Sequence, residues 1–285
     1  MKLSADAVWL ITGCSTGIGR EVATLALDQG YRVVVTARKP EAVADLVAPH
    51  GDRALALALD VTDRTQIAAA VAAAEDAFGA VDVLVNNAGY GYMAALEEGE
   101  DDEVRRLFDT NYFGVVDTIK AVLPGMRSRG RGHIINMSSM TGLVANPPNV
   151  YYSSTKFALE AVTEALAQEV ASFGLHVTAI EPGAFRTDWG TRSMKESAAP
   201  IEAYAETVGA RKELIKAFAD KLPGDPRRVA DAVLQIARDE DPPLHLLLGH
   251  DVLGAFRKKL KTLGESIEKW APVSKDVNFP PDAES

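Results

Sequence analysis

The chain has 285 residues, 47% of them apolar and 25% charged, with a formal net charge of -10 at pH 7. This size fits one large domain or two small ones, and the composition is that of a globular protein in water. The acidic balance argues against a nucleic-acid surface, which needs a basic stripe to neutralise phosphates, and disfavours anionic membranes. A phosphorylated cofactor stays compatible with it, because local groups set that affinity. The single cysteine, Cys14, rules out an intrachain disulfide framework and fits a reducing cytoplasm, the expected location. The first eight residues lack the pattern of a signal peptide, and no stretch reaches the length of a membrane span.

Taken in order, the chain alternates strands and helices. Val8 to Ile11 is a short apolar run that stops at Thr12-Gly13, as a buried parallel strand does. A helical pattern runs from Ile18 to Gln29 and ends at Gly30. Strand Val33–Val35, helix Pro40–Val47 and strand Ala54–Leu59 follow. An alanine-rich helix spans Asp63 to Phe78, and Val81–Val85 is the fourth strand. A long helix is expected over Asp101 to Ser128, a fifth strand over Gly132 to Met137, a helix from Tyr151 to before Gly174, and a sixth strand over Leu175 to Ile180. The rest comprises a mobile-looking segment from Phe185 to Pro200, two helical stretches, the apolar run Leu244–Leu248 and a terminal helix through Trp270.

This alternation implies an α/β fold, a doubly wound parallel sheet of about seven strands with helices on both faces. No break in composition interrupts it, so a single Rossmann-type domain is expected over residues 1–271, with a loose tail over 272–285.

Two segments carry chemistry. Thr12-Gly13-Cys14-Ser15-Thr16-Gly17-Ile18-Gly19 lies between the first strand and the first helix. Glycines there allow a sharp turn and close approach to a ligand, and the helix N-terminus offers unpaired N–H groups to a pyrophosphate. After the second strand stands Ala37-Arg38-Lys39, where a fold preferring NAD usually has Asp or Glu. A carboxylate would repel a 2'-phosphate, whereas Arg38 can bind it with charge-assisted bonds. NADP is therefore favoured over NAD.

The second segment is Tyr152-Ser153-Ser154-Thr155-Lys156, followed by a strong helical pattern. Positions i and i+4 share a helix face, so the ammonium should pull the tyrosine pKa, normally about 10, toward neutrality. That makes Tyr152 a candidate proton donor and acceptor.

With Asp60-Val61, Asn86-Asn87-Ala88-Gly89, Asn111, Ser139, and Pro182-Gly183 with Thr187, these segments stand in an order that resembles the short-chain dehydrogenase/reductase family, in its main single-domain branch. The resemblance covers about residues 5 to 190 and implies roles. Tyr152 would be the acid/base, Lys156 would lower its pKa and hold the nicotinamide ribose, and Ser139 would polarise the reacting oxygen. Asn111 would position a relay water. The turn from Gly13 through Ser15, Thr16, Gly17, Ile18 and Gly19 would hold the pyrophosphate. Asp60 and Val61 would contact the adenine, Asn87, Ala88 and Gly89 would line the cofactor channel, and Pro182, Gly183 and Thr187 would meet the nicotinamide. Adjacent strand-end residues point opposite ways, so only one of Ser138 and Ser139 can face the site, and the family's offset to the tyrosine selects Ser139. Tyr151 has Thr155, not a lysine, four residues on.

The activity implied is reversible hydride transfer between NADP(H) and a secondary alcohol or carbonyl. A pocket wall of Phe185, Trp189, Met194 and Ile201, with Met93 and Leu143 to Val150, implies an apolar substrate, though such residues also serve as plain packing. The context around Lys156 and Glu181-Pro182-Gly183 is similar to 17β-hydroxysteroid and retinol dehydrogenase relatives. An NADP-dependent epimerase or dehydratase and a non-catalytic cofactor-sensing protein remain alternatives on the same scaffold. The five histidines show no metal spacing, so no metal site is expected. Relatives pair their two long helices, which implies a homodimer or homotetramer.

Overall fold

The apolar runs become strands and the stretches of 3.6-residue period become helices. The computed structural model describes residues 3–187 and 193–279. It opens with β1 (Val8–Ile11), α1 (Gly17–Asp28), β2 (Arg32–Ala37), α2 (Ala44–Val47), β3 (Ala54–Ala58), α3 (Arg64–Phe78) and β4 (Val83–Asn86). Next come β5 (Gly91–Met93), α4 (Asp101–Phe108), α5 (Gly114–Arg129), β6 (Gly132–Met137), α6 (Met140–Leu143), α7 (Val150–Val170) and β7 (Leu175–Pro182). The last third holds β8 (Met194–Glu196), α8 (Ala210–Phe218), α9 (Pro226–Arg238), β9 (His245–Leu248) and α10 (His250–Lys275).

Seven strands form one parallel sheet in the order β3-β2-β1-β4-β6-β7-β9. The chain winds outward from β1 in one direction, then returns to β4 and winds the other way. The carboxyl ends of β1 and β4 therefore flank a break in strand order, where open α/β sheets bind their ligands. Side chains alternate across the sheet. Trp9, Ile11, Val33 and Val35 join the core under α1 and α9, while Leu10, Val34, Leu84 and Ile134 join the core under α3, α5 and α7. Asp63 caps α3 by accepting from the N–H groups of Thr65 and Gln66, and Gly79 ends that helix at φ 84°.

Four features depart from the sequence reading. The helix expected over Pro40–Val47 is a 3-10 turn, Pro40–Val43, leading into the four-residue α2, since Pro49 and the positive φ of Gly51 stop it. The helix expected over Asp101–Ser128 is α4 and α5 joined by a π turn, Asp109–Phe113. Within the segment after Phe185, β8 pairs with β5, and Ser197 N–H donates to Met93 O at 3.1 Å. That pairing joins residues about a hundred positions apart, so no local pattern announced it. Finally, α10 continues past Trp270 to Lys275 with Pro272 inside it. Beyond Leu260 this helix stands clear of the domain, with Leu260, Leu263, Ile267 and Trp270 each more than half exposed.

Candidate functional site

At the break in strand order, Gly13 (φ 72°) and Gly17 (φ 62°) take left-handed backbone that side chains disfavour. A Cβ on Gly13 would lie 2.8 Å from the Ala88 Cα, and one on Gly19 would lie 2.2 Å from the Asn87 amide nitrogen. The turn is pinned from the neighbouring strand. The Asn87 amide donates to Thr12 O (2.9 Å) and Gly13 O (3.0 Å), and the N–H groups of Asn87 and Ala88 meet the Thr12 hydroxyl at 2.9 and 3.0 Å. Asn87 therefore braces the glycine turn, where the resemblance gave it only a place along the channel. The first turn of α1, beginning at Gly17, carries no acidic residue to oppose an anion at its N-terminus. Ser15, Thr16, Gly17 and Ile18 there fit a pyrophosphate.

Tyr152 and Lys156 lie one turn apart on α7, both buried. Ser139 follows β6 as the cap of α6, its hydroxyl accepts from Thr141 N at 3.2 Å, and it acts on the Tyr152 phenol, favouring the ionised form. Its neighbour Ser138 points away, into the protein, and donates to the Glu160 carboxylate. Tyr151 is turned outward: its hydroxyl donates to Leu96 O at 2.5 Å and its ring stacks on Tyr92.

The expected lowering of the Tyr152 pKa is not found in this form. Burial raises it, and the Ser139 hydroxyl is the group acting the other way. Lys156 does not point its ammonium at the phenol oxygen. It donates to Met137 O at 2.7 Å and sits 5.7 Å from the centre of the Tyr152 ring. Burial pulls the Lys156 pKa down to about 8, against the opposing charge of Glu160.

Asn111 sits fully buried in the π turn, a distortion often found at functional sites. Its amide is committed: it donates to Tyr90 O (2.8 Å) and Thr155 Oγ1 (3.3 Å), and accepts from Tyr90 N (3.1 Å). A relay water would have to use main-chain atoms instead, since both amide N–H groups are spent on clamping α7 to the loop after β4. Gly89 is needed in that loop because a Cβ there would come 3.1 Å from the Asn111 oxygen.

The remaining candidates ring the same end of the sheet. Arg38 is exposed just after β2, beside the glycine turn, which Cys14 N ties to Thr36 O at 2.8 Å. Asp60 follows β3 and accepts from the N–H and hydroxyl of Thr62 at 3.0 and 2.7 Å, while Val61 is buried under α5. Pro182 ends β7 beside β9, and Gly183 N donates to Leu248 O at 2.9 Å. Thr187 reaches back to 3.7 Å from the position of a Cβ on Gly17, so the two ends of the cleft approach each other. Trp189 lies outside the described residues. Cys14 is inert, its thiol buried and pushed up to about 12.

Three functional supports escaped the sequence. Asp251, at the start of α10, accepts from Ala184 N at 2.7 Å, and a Cβ on Gly183 would collide with it. Glu98 and Lys212 form a buried ion pair at 3.1 Å that holds the segment around Ser197 and Ile201. Glu98 also accepts from Ala95 N, Ser197 Oγ and Ile201 N, and Lys212 donates to Ser197 Oγ at 2.8 Å. Burial pushes the Glu98 pKa up, but these hydrogen bonds and the ammonium outweigh it and hold the group at about 2. A distant contact between two surface-type residues leaves no local signal, so only the fold reveals it. An open hollow lined by Asp6, Gly30, Arg32 and Phe78 lies at the opposite end of the strands and contains none of this chemistry.

Among the described residues, no helix is long and apolar enough to cross a membrane. Comparison with known proteins agrees with the geometry. Residues 7–198 match the family described as short chain dehydrogenase. The chain is 41% identical over 268 residues to the oxidoreductase BOA17 of Botryotinia fuckeliana, covering 94% of this chain and 97% of that one. It is 35% identical over 263 residues to a 3-ketodihydrosphingosine reductase of Bacteroides thetaiotaomicron, with 92% and 95% covered. A short-chain dehydrogenase structure from Streptomyces avermitilis superposes with a TM-score of 0.89 at 41% identity, over 95% of this chain and all of that one. Solved neighbours carry nucleotides of both kinds. ElxO with NADP bound has a TM-score of 0.73 at 27% identity, covering 87% and 99%; a 3-ketoacyl-(acyl-carrier-protein) reductase of Brucella melitensis complexed with NADH has 0.72 at 28%, covering 86% and 97%. The chain belongs to the short-chain dehydrogenase family of oxidoreductases.

Proposed function

We propose that this protein is an NADP(H)-dependent oxidoreductase that interconverts a secondary alcohol and a carbonyl compound of apolar character. The observation that carries the reading is a buried Tyr152 with a buried Lys156 one turn along the same helix, with Ser139 acting on the phenol and a glycine turn at the break in strand order. When bound, the nicotinamide supplies or accepts the hydride; the proton steps fall to the protein.

Ser139 and Tyr152 together offer a substrate oxygen two hydroxyl donors, which stabilise it as negative charge builds. A buried phenol whose pKa is raised stays protonated at neutral pH, so Tyr152 is poised as the acid and the site favours carbonyl reduction there. Oxidation, which needs the phenolate, should gain with rising pH. The turn from Gly13 to Gly19 would hold the pyrophosphate, Arg38 a 2'-phosphate, Asp60 and Val61 the adenine, and Ala88 and Gly89 the channel wall. Lys156 would hold the ribose, with Pro182, Gly183 and Thr187 at the nicotinamide. Buried Met93 and half-buried Phe185 and Met194 support an apolar substrate, as does the keto group in the name of the 35%-identical reductase. Self-association through α4–α5 and α7 is part of the same reading, supported by Phe113 and Phe173, which are 49% and 41% exposed.

Tyr152→Phe tests it. Turnover with a panel of ketones should fall by at least a thousandfold while NADPH still quenches protein fluorescence with nearly the same affinity. Normal turnover in that variant would refute the proposal.

A further inference from the structure

Apart from the residues given to nucleotide and substrate, Glu160, Glu181 and His245 converge at one place, the one such cluster among the described residues. Glu160 lies on α7 one turn beyond Lys156. Glu181 lies on β7, and His245 opens β9, the next strand, in register with Ala179. In parallel strands this register puts the side chains of Glu181 and His245 on one face. The three groups lie within 4.8 Å of one another: His245 Nδ1 is 2.7 Å from Glu181 Oε1 and 3.5 Å from Glu160 Oε2.

Glu160 is 5% exposed and Glu181 is fully buried, yet Oε2 of each accepts no hydrogen bond. Buried carboxylate oxygens without donors are costly and rare in folded proteins. Ser138 satisfies only the other oxygen of Glu160. The nearby positive group on α7 is Lys156, which spends a bond on Met137 O. His245 is about one third exposed, so the cluster opens to solvent through it, with Glu164 Oε1 at the mouth, 3.6 Å from its Nε2. The arrangement lacks a charge at its centre.

We propose that Glu160, Glu181 and His245 bind one divalent transition-metal ion, Zn2+ or Mn2+ in class. One imidazole nitrogen and two carboxylate oxygens make a three-ligand N/O set that leaves a position for water. Ligands about 2.1 Å from a tetrahedral ion stand roughly 3.4 Å apart, which matches the 3.5 Å between His245 and Glu160. The His245–Glu181 contact would open by less than 1 Å as the ion takes the Nδ1 lone pair, with the imidazole proton held on Nε2. The lone Glu160 Oε2 would then gain a partner. The site uses none of the side chains assigned to the proposed reaction, though Glu160 lies one helix turn from Lys156.

Full-length protein stripped with a chelator should take up one Zn2+ or Mn2+ per chain by calorimetric titration, and its melting temperature should rise with either ion. Co2+ should give a visible absorption band of low-coordinate N/O type. Glu181→Gln and His245→Gln should each weaken uptake at least tenfold and remove the thermal shift. His245→Gln decides should the buried Glu181→Gln variant not fold, because His245 is partly exposed on an edge strand. Absence of stoichiometric uptake by the unaltered protein, or uptake equal in the His245→Gln variant, overturns the site; the cluster would then be held by shared protons.

Discussion

Asn87 stands across the break in strand order from Gly13 and donates through one amide to both the Thr12 carbonyl (2.9 Å) and the Gly13 carbonyl (3.0 Å). A glycine turn loses more freedom on ordering than any other segment of equal length. Here the loss is met by β4's side of the cleft, which holds the turn in shape whether or not a nucleotide is near. Preorganisation of this kind raises affinity without adding a contact to the ligand.

Asn87→Ala removes both bonds and leaves two carbonyls short of a donor. It should cost about 1–2 kcal/mol of stability and weaken nucleotide binding about tenfold by loosening the turn. Thermal melting and a fluorescence titration with NADPH check the two effects. A folded variant with unchanged affinity would show that the turn keeps its shape without Asn87.

Ser138 and Ser139 are neighbours with opposite surroundings, and their alanine variants should separate cleanly. Ser139→Ala removes a donor from the reacting oxygen and should lower kcat about a hundredfold or more, while the melting point falls little. Ser138→Ala takes the donor from the buried Glu160 and should cost about 1–3 kcal/mol, with kcat nearly kept. Kinetics and chemical denaturation on the same preparations measure both. An exchange of the two phenotypes would reverse the assignment.

The strands and the glycine turn were legible because each is local: an apolar run of fixed length, or glycines at a strand-to-helix junction. The tyrosine and lysine were legible for the same reason, since an i, i+4 spacing needs only a helix. What the spacing could not convey is burial. Tyr152 looked like a group tuned by a nearby charge, yet its surroundings dominate and move its pKa upward. Glu98 with Lys212, and Glu181 with His245, join residues 114 and 64 positions apart. Pairings of that range exist only once the chain is folded.

Lys156, proposed to hold the ribose, works against stability. Its folded pKa, about 8, lies below the ordinary lysine value of 10.5, so the folded chain binds this proton less readily than the unfolded chain. The penalty is therefore full below pH 8 and fades as pH rises from there toward 10.5. Lys156→Met should be inactive yet more stable at pH 7, by up to about 3 kcal/mol less the lost bond to Met137 O. Urea unfolding at pH 7 and pH 10 should show the advantage shrinking at the higher pH. A variant less stable than the parent at pH 7 would mean that the ammonium is well solvated.

Glu98 has the opposite sign. Its folded pKa of about 2 lies below the ordinary value of 4.5, so its stabilisation is complete above pH 4.5 and is lost as pH falls toward 2. The segment it anchors, from Ser197 to Lys212, should loosen first in acid. Glu98→Gln leaves Lys212 buried without a counter-charge and should cost about 3–5 kcal/mol, with KM rising more than kcat falls. Limited proteolysis between pH 5 and pH 3 should cut the parent within residues 197–212 only at the acid end, and cut the variant at both. Equal resistance of parent and variant would remove the pair from the control of this segment.

Arg38 follows the buried Ala37 at the carboxyl end of β2, close to the turn that Cys14 ties to Thr36, and it is exposed. A guanidinium there can grip a 2'-phosphate, and no carboxylate stands at the strand end to repel it. Losing such a charge-assisted contact costs about 1.5–3 kcal/mol, so Arg38→Asp should lower kcat/KM with NADPH about 10- to 100-fold. The introduced carboxylate can accept from the ribose hydroxyls of NADH, so kcat/KM with NADH should hold or rise. NADPH binding by the parent should also weaken with added salt more steeply than NADH binding, because screening acts on the extra phosphate. Equal salt dependence for the two nucleotides, with no change of preference in Arg38→Asp, would leave the cofactor choice to some group other than this side chain.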